Sequence, residues 1–173
     1  MMQFSATPEL TDAQALAQIG EMQEWLAAGG SVGDAVNISQ EQREALYQFG
    51  YDFYAQARYA EAFKIFALLV VYEHLNDRYL MALAGAAQML GRYEDALLHY
   101  STATMLLLDD PRPIFHSAEC LLALNQTDLA CETLRLAIEV AEDSEIHEAV
   151  KTRADALLST LTGTTAKTAT PSH

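Results

Sequence analysis

At 173 residues the chain is about one domain long and can bury a sizeable core. Its 51% hydrophobic content, with only four prolines and eight glycines, describes a globular, helix-favouring chain and not a disordered one. A formal net charge of −14 sets it against nucleic acid and against anionic membrane surfaces, both of which would repel it.

No run approaches the roughly 18 uninterrupted apolar residues of a membrane span. Met1-Met2-Gln3-Phe4 lacks the basic-then-apolar order of a secretory signal. Cys120 and Cys131 are therefore expected to be reduced cytosolic thiols and not part of a disulfide framework.

Residues 1–9 read as a frayed end. Thr11-x-x-Gln14 is a capping box. Beyond it Leu16, Ile19, Met22 and Leu26 form an apolar stripe with Trp25 beside it, and Ala28-Gly29-Gly30 stops the helix. A helix is expected over about 11–28, inside an N-terminal unit 1–38. The remainder of that unit, Ser31 to Ile38, is a connector with room for one helical turn at Val32–Val36.

Ser39-x-x-Gln42 is a second capping box. It opens the stretch Leu46-Tyr47-Gln48-Phe49-Gly50-Tyr51-Asp52-Phe53-Tyr54, which carries two aromatic stripes. Tyr47, Tyr51 and Tyr54 fall at i, i+4 and i+7 and share one helical face. Leu46, Phe49 and Phe53, with the small Gly50, share another. An ordinary surface helix needs one apolar stripe. Two stripes imply one face for a core and one for something else. Phe49 and Phe53 are expected inside, and the tyrosines toward a partner. Aromatics at helical spacing are more often core, but Leu46, Phe49, Phe53, Ala62 and Phe66 already supply the core here.

A long period follows. Tyr59-x-x-Ala62-x-x-x-Phe66 aligns with Tyr93-x-x-Ala96-x-x-x-Tyr100 and with Ala130-x-x-x-Leu134, the alanines standing 34 residues apart twice over. Gly50, Ala84 and Ala118 repeat at the same interval upstream, and Leu69, Ala103 and Ala137 downstream. This is the tetratricopeptide period. It predicts an all-α fold: three tandem repeats of paired helices stacked into a curved solenoid over 39–162. The pairs are expected at about 40–56 with 59–73, 77–90 with 93–107, and 113–124 with 127–141, with turns at Gly91, Asp109-Asp110-Pro111 and Asn125. Asp143 or Ser144 caps a last helix, about 145–162, that covers the third repeat through Ile146, Val150, Leu157 and Leu161, and Gly163 ends it. The Thr-rich tail 163–173 is expected to be disordered.

In such repeats the first helix of each pair lines the concave face. Placing the tyrosine positions in register gives three rows: Tyr47, Tyr51 and Tyr54; Met81, Gly85 and Gln88; Phe115, Glu119 and Leu122. These nine residues are the candidate peptide-binding groove. Gly85 lets a peptide backbone approach closely. Tyrosine offers a large apolar body, few torsions to freeze and a hydroxyl for a peptide carbonyl.

With the repeats laid out, the chain resembles the class II chaperones of type III secretion systems, which hold pore-forming translocator proteins before export. The resemblance rests on Leu26-Ala27-Ala28-Gly29-Gly30, on Leu46 through Tyr54, and on Tyr59-Ala60-Glu61-Ala62. Above all it rests on Asp110-Pro111-Arg112-Pro113-Ile114-Phe115-His116-Ser117-Ala118-Glu119-Cys120-Leu121-Leu122. It covers about residues 10–160. The resemblance implies a cytoplasmic chaperone of a Gram-negative bacterium whose groove binds an extended, proline-containing segment near a translocator's N-terminus. The family's aromatic groove positions match Tyr47, Tyr51 and Tyr54. Its N-terminal helix often mediates homodimers, which implies a dimer through residues 11–28. Ala57 stands where the family usually carries Gly, so the first turn is expected to differ.

Other chemistries are weaker. His116, Glu119 and Cys120 lie at i, i+3 and i+4, as a metal site or a nucleophile with its base requires. Yet no Cys-x-x-Cys, His-x-x-x-His, phosphate loop or nucleophile elbow accompanies them. Cys120 is expected in the core, and no catalysis, metal or cofactor is expected. His116 is left between a groove contact and a helix cap. A groove that clamps a C-terminal carboxylate requires converging basic side chains, which the rows lack. A generic repeat scaffold or co-chaperone is the alternative.

Overall fold

Small side chains at a fixed interval let helices approach closely, and the chain folds as that spacing requires. The computed structural model describes residues 37–142 and 145–168. It pairs α1 (Gln40–Ala55) with α2 (Tyr59–Tyr72), α3 (Asp77–Met89) with α4 (Tyr93–Leu106), and α5 (Arg112–Ala123) with α6 (Thr127–Ala141). A 3-10 turn, Glu145–His147, leads into α7 (Glu148–Thr168). The six paired helices begin and end within one residue of the expected bounds. The helix expected over 11–28 and the caps Asp143 and Ser144 lie outside the described residues. No helix among the described residues is long and apolar enough to cross a membrane.

Local chemistry starts the helices. Ser39 Oγ accepts from the Gln42 backbone N–H at 3.2 Å, and Gln42 Oε1 accepts from the Ser39 N–H at 2.9 Å, completing the capping box of α1. Asn76 Oδ1 takes the Tyr79 N–H at the start of α3. Pro111 and Pro113 begin α5, where their missing N–H groups cost nothing.

The turn inside each pair is the same three times. Ala57, Gly91 and Asn125 take positive φ of 58°, 73° and 60°. The next backbone N–H, of Arg58, Arg92 and Gln126, donates 2.9 Å back to the carbonyls of Phe53, Ala87 and Leu121. The first turn therefore does not differ as expected. The closing hydrogen bonds hold Ala57 in the left-handed conformation that Gly91 adopts without strain.

The small landmarks of each repeat are buried. Ala62, Ala96 and Ala130 have no exposure, nor do Leu69, Ala103 and Ala137. Phe66, Tyr100 and Leu134 fill the gaps beside them. At Gly50 an added methyl would lie 2.7 Å from Phe66 Cε1, so no side chain fits there.

Phe49 corrects one expectation. It is 51% exposed and meets only the edge of Phe53, with ring centroids 4.5 Å apart. Its register mates one and two repeats on, Leu83 and Ser117, are buried, because α2 packs on α3 and α4 packs on α5. No described helix precedes α1 to cover the same face. Phe53, by contrast, does pack against the first core cluster.

At the other end α7 closes the stack. Val150, Leu157, Leu158 and Leu161 pack onto the cluster of Ile114, Phe115, Leu134, Ala137 and Ala154. This helix does not stop at Gly163 but continues to Thr168, so the tail expected to be disordered from 163 begins helically. Glycine inside an exposed helix costs only about 1 kcal/mol relative to alanine, and it terminates a helix chiefly by turning left-handed. Gly163 does not turn left-handed.

Ala57→Gly relieves a non-glycine residue of positive φ. It is expected to stabilise the fold by about 0.5–1 kcal/mol in urea unfolding, after the extra chain entropy glycine gives the unfolded state.

Candidate functional site

The first helices of the three pairs and α7 enclose a concave face with two joined hollows. The first, about 320 Å³, is lined by Tyr47, Tyr51 and Tyr54 of α1, Met81, Gly85 and Gln88 of α3, and Glu119 of α5. Phe66, Ala82, Met89, Tyr100 and His116 complete it. The second, about 510 Å³, is lined by Gln88, Met89, Tyr93, Glu119, Leu122, Ala123 and Leu157. Of the nine groove candidates, eight therefore meet on one continuous surface.

The tyrosines are graded from held to free. Tyr47 sits 5.6 Å from Phe66 and 5.8 Å from Tyr79, ring centre to ring centre. The Arg78 guanidinium lies 3.7 Å above it and is itself forked onto both Glu44 oxygens. Tyr54 meets the edge of Tyr59 at 5.2 Å. Burial first, then the neighbouring Tyr59 and Tyr51, push its hydroxyl pKa up, so it stays a neutral donor. Tyr51 is 52% exposed.

Gly85 opens the floor. A methyl there would come no closer than 3.7 Å to Tyr54 Oη and 3.8 Å to Tyr100 Oη. Unlike Gly50 it is not required by packing; its effect is to leave space.

Between the hollows lies a polar network drawn from four helices. Tyr100 Oη donates to Gln88 Oε1 at 2.8 Å, and Gln88 Nε2 donates to Glu119 Oε2 at 3.1 Å. His116 Nδ1 lies 2.8 Å from the same oxygen, and Arg153 of α7 donates to Glu119 Oε1 at 3.3 Å. Burial alone pushes the Glu119 carboxyl up. The hydrogen bonds from His116 and Gln88, with the charges of His116 and Arg153, outweigh it and hold the pKa below the ordinary carboxylate value. Glu119 is thus an ionised acceptor, and His116 Nδ1 carries the proton it receives. Burial raises the Tyr100 hydroxyl far above its usual range, so it remains a donor.

Phe115 does not line the groove as expected. It is 2% exposed, inside the third core cluster with Leu134 and Ala154, and Arg153 covers its ring at 4.5 Å. The same register position already packs inward at Tyr47 under Arg78 of α3, and in the third repeat α7 and Arg153 close over it completely. The adjacent His116 takes the groove place, its ring stacked 5.5 Å from Tyr100. Tyr100 itself was passed over because it stands at the core register of Phe66. Only its hydroxyl reaches the groove floor.

His116 and Glu119 pair, but Cys120 points the other way, fully buried in the core beside Ala84, Ala87, Ala96 and Tyr100. Burial, then the nearby Glu119 charge, push its thiol up to about 12. The nucleophile and base are thus on opposite faces of α5. Among the described residues no group of His, Cys, Asp and Glu is placed to hold a metal.

No protein-family model matches the chain. Over 137 residues it is 31% identical to low calcium response locus protein H of Yersinia pestis, spanning 79% of this chain and 82% of that protein. A type III secretion system complex from Aeromonas hydrophila superposes with a TM-score of 0.80 at 29% identity, covering 85% of this chain and 98% of that one. The type III secretion chaperone SycD of Yersinia enterocolitica, solved in complex with a peptide of the translocator YopD, superposes with a TM-score of 0.70 at 30% identity, covering 74% of this chain and 98% of that one.

The two cysteines are expected to separate cleanly. A thiol reagent at about pH 8 should modify Cys131 in the folded protein, while Cys120 reacts only after denaturant is added. Mass spectrometry of the labelled peptides reads this directly, and early labelling of Cys120 would contradict its placement in the core.

Proposed function

The chain belongs to the family of type III secretion translocator chaperones, and we propose that its own groove binds an extended, proline-containing segment of a translocator and keeps that client soluble until export. The observation that carries this is the convergence of Tyr47, Tyr51, Tyr54, Met81, Gly85, Gln88, Glu119 and Leu122 on one concave surface. Such a surface suits a stretched chain. Its hollows take apolar side chains, Gly85 lets the main chain come close, and the tyrosine hydroxyls and the central network offer hydrogen bonds to peptide groups. Capture is by binding alone. No nucleotide or cofactor enters, and no residue acts as a catalyst.

The client is recognised by its body and not by a charged terminus. Among the described residues neither hollow is lined by a lysine or an arginine, and the central anion, Glu119, would repel a carboxylate. The place of action we infer is the bacterial cytoplasm, before secretion. The homodimer implied through 11–28 involves residues outside the described ones, and groove binding does not depend on it.

Two substitutions test the groove, with the YopD peptide as probe and calorimetry as readout. Tyr51→Ala should weaken binding by about 2 kcal/mol, roughly thirtyfold, with an unchanged circular dichroism spectrum, because Tyr51 contributes to the groove and not to the core. Gly85→Ala should do the opposite to the fold: a helical alanine stabilises by up to about 1 kcal/mol. The added methyl should nonetheless weaken the peptide by raising the floor. A wild type that ignores the peptide, or variants that bind as tightly as it does, would remove the proposed function.

A further inference from the structure

Gln88 sits on the saddle between the two hollows and lines both, so a chain running the length of the groove passes over it. Its carboxamide is held in one orientation. An ionised carboxylate only accepts, so the Gln88 NH2 group must face Glu119, and the Gln88 oxygen takes the Tyr100 O–H. Each end of the amide is then half used. One N–H and one lone pair remain, which is the complement of the C=O and N–H that one residue of an extended chain turns to the same side.

The floor beside it is bare. Gly85 precedes Gln88 by about one helical turn and presents no side chain. A methyl built on it would lie 3.8 Å from Tyr100 Oη, the hydroxyl that donates to Gln88. The main chain of an occupant can therefore come close to the floor beside the carboxamide. An extended segment makes no internal hydrogen bonds. A peptide group pressed against tyrosine and methionine side chains without a partner is strongly penalised.

We propose that Gln88 is a main-chain clamp that pairs with the N–H and C=O of one residue of the client, whatever that residue's side chain, where the client crosses Gly85. Tyr100 and Glu119 are positioning residues that aim it. The clamp rests on the groove holding an extended segment, as proposed above, and it adds how one point of that segment is recognised.

The test measures binding of the YopD peptide and of copies in which one backbone amide at a time is replaced by an ester, which removes an N–H without adding bulk. One ester position is expected to weaken binding to the wild type by about tenfold. Gln88→Met keeps the length of the side chain and loses both hydrogen-bonding groups. It should bind the parent peptide about tenfold more weakly, with no further loss at that ester position. Tyr100→Phe removes only the aiming hydroxyl and preserves the buried ring. It should show an ester penalty between the two, and it carries the test should Gln88→Met fail to fold. Equal ester penalties in all three proteins would overturn the clamp and leave the groove standing. Failure of the unmodified peptide to bind the wild type would overturn the groove and the clamp with it.

Discussion

The distance at which paired helices meet governs this molecule. Gly50, Ala84 and Ala118 stand where the first helix of each pair crosses the second, and none is followed by space. Phe66 occupies the position that a methyl on Gly50 would need. Close approach at these points forces the larger side chains, Phe66, Tyr100 and Leu134, to one side of each crossing. Repeating the same offset stacks the pairs with a constant rotation, and a constant rotation produces a hollow side. The groove is thus a consequence of packing and needs no separate device to hold it open.

What the groove does with its polar atoms follows from where the repeats leave them. Two apolar hollows are separated by a network that draws on α3, α4, α5 and α7. Glu119 accepts from three of those partners, so its charge is spread over donors and not presented bare to a client. A buried carboxylate with fewer partners would take up a proton or disrupt the packing around it. Here the same hydrogen bonds that keep Glu119 ionised also fix Gln88 and His116. The mid-groove is therefore preorganised, and an occupant need not order it.

Much of this was legible in the chain because a period constrains many residues at once. Ala62, Ala96 and Ala130 recur at one interval, and only a repeated close crossing requires a small residue each time. That single inference placed six helices within one residue of their ends. Register then carried the tyrosine rows onto α3 and α5, where Met81, Gly85, Gln88, Glu119 and Leu122 line the same joined hollows as the tyrosines. It failed where equal register meets unequal surroundings. Phe115 is sealed by α7 and Arg153 more completely than Tyr47 is by α3 and Arg78, and no described helix covers Phe49 as α2 covers Leu83. Tyr100 and His116 were illegible for another reason. One is a core ring with a hydroxyl that reaches out, and the other gains its place only because its neighbour turns in. Gly163 misled because glycine ends a helix through its conformation, which residue type alone does not reveal.

The two helical glycines of the first helices show how little separates packing from function in such a fold. Gly50 and Gly85 both lie on the first helix of a pair, and both substitute a hydrogen for a side chain. At Gly50 the space is already filled, at 2.7 Å, by the partner helix of the same repeat. At Gly85 the nearest atom is a tyrosine hydroxyl at 3.7 Å, an ordinary contact distance, so a methyl would fit. The first glycine is demanded by the packing of Phe66 against it, where the other two repeats carry Ala84 and Ala118. The second destabilises its helix relative to alanine and contributes nothing to the core. A residue that weakens the fold while shaping a cavity is accounted for by what enters the cavity. On the proposed function, the cost at Gly85 is accounted for by a client whose own main chain, and not merely its side chains, comes down to the groove floor.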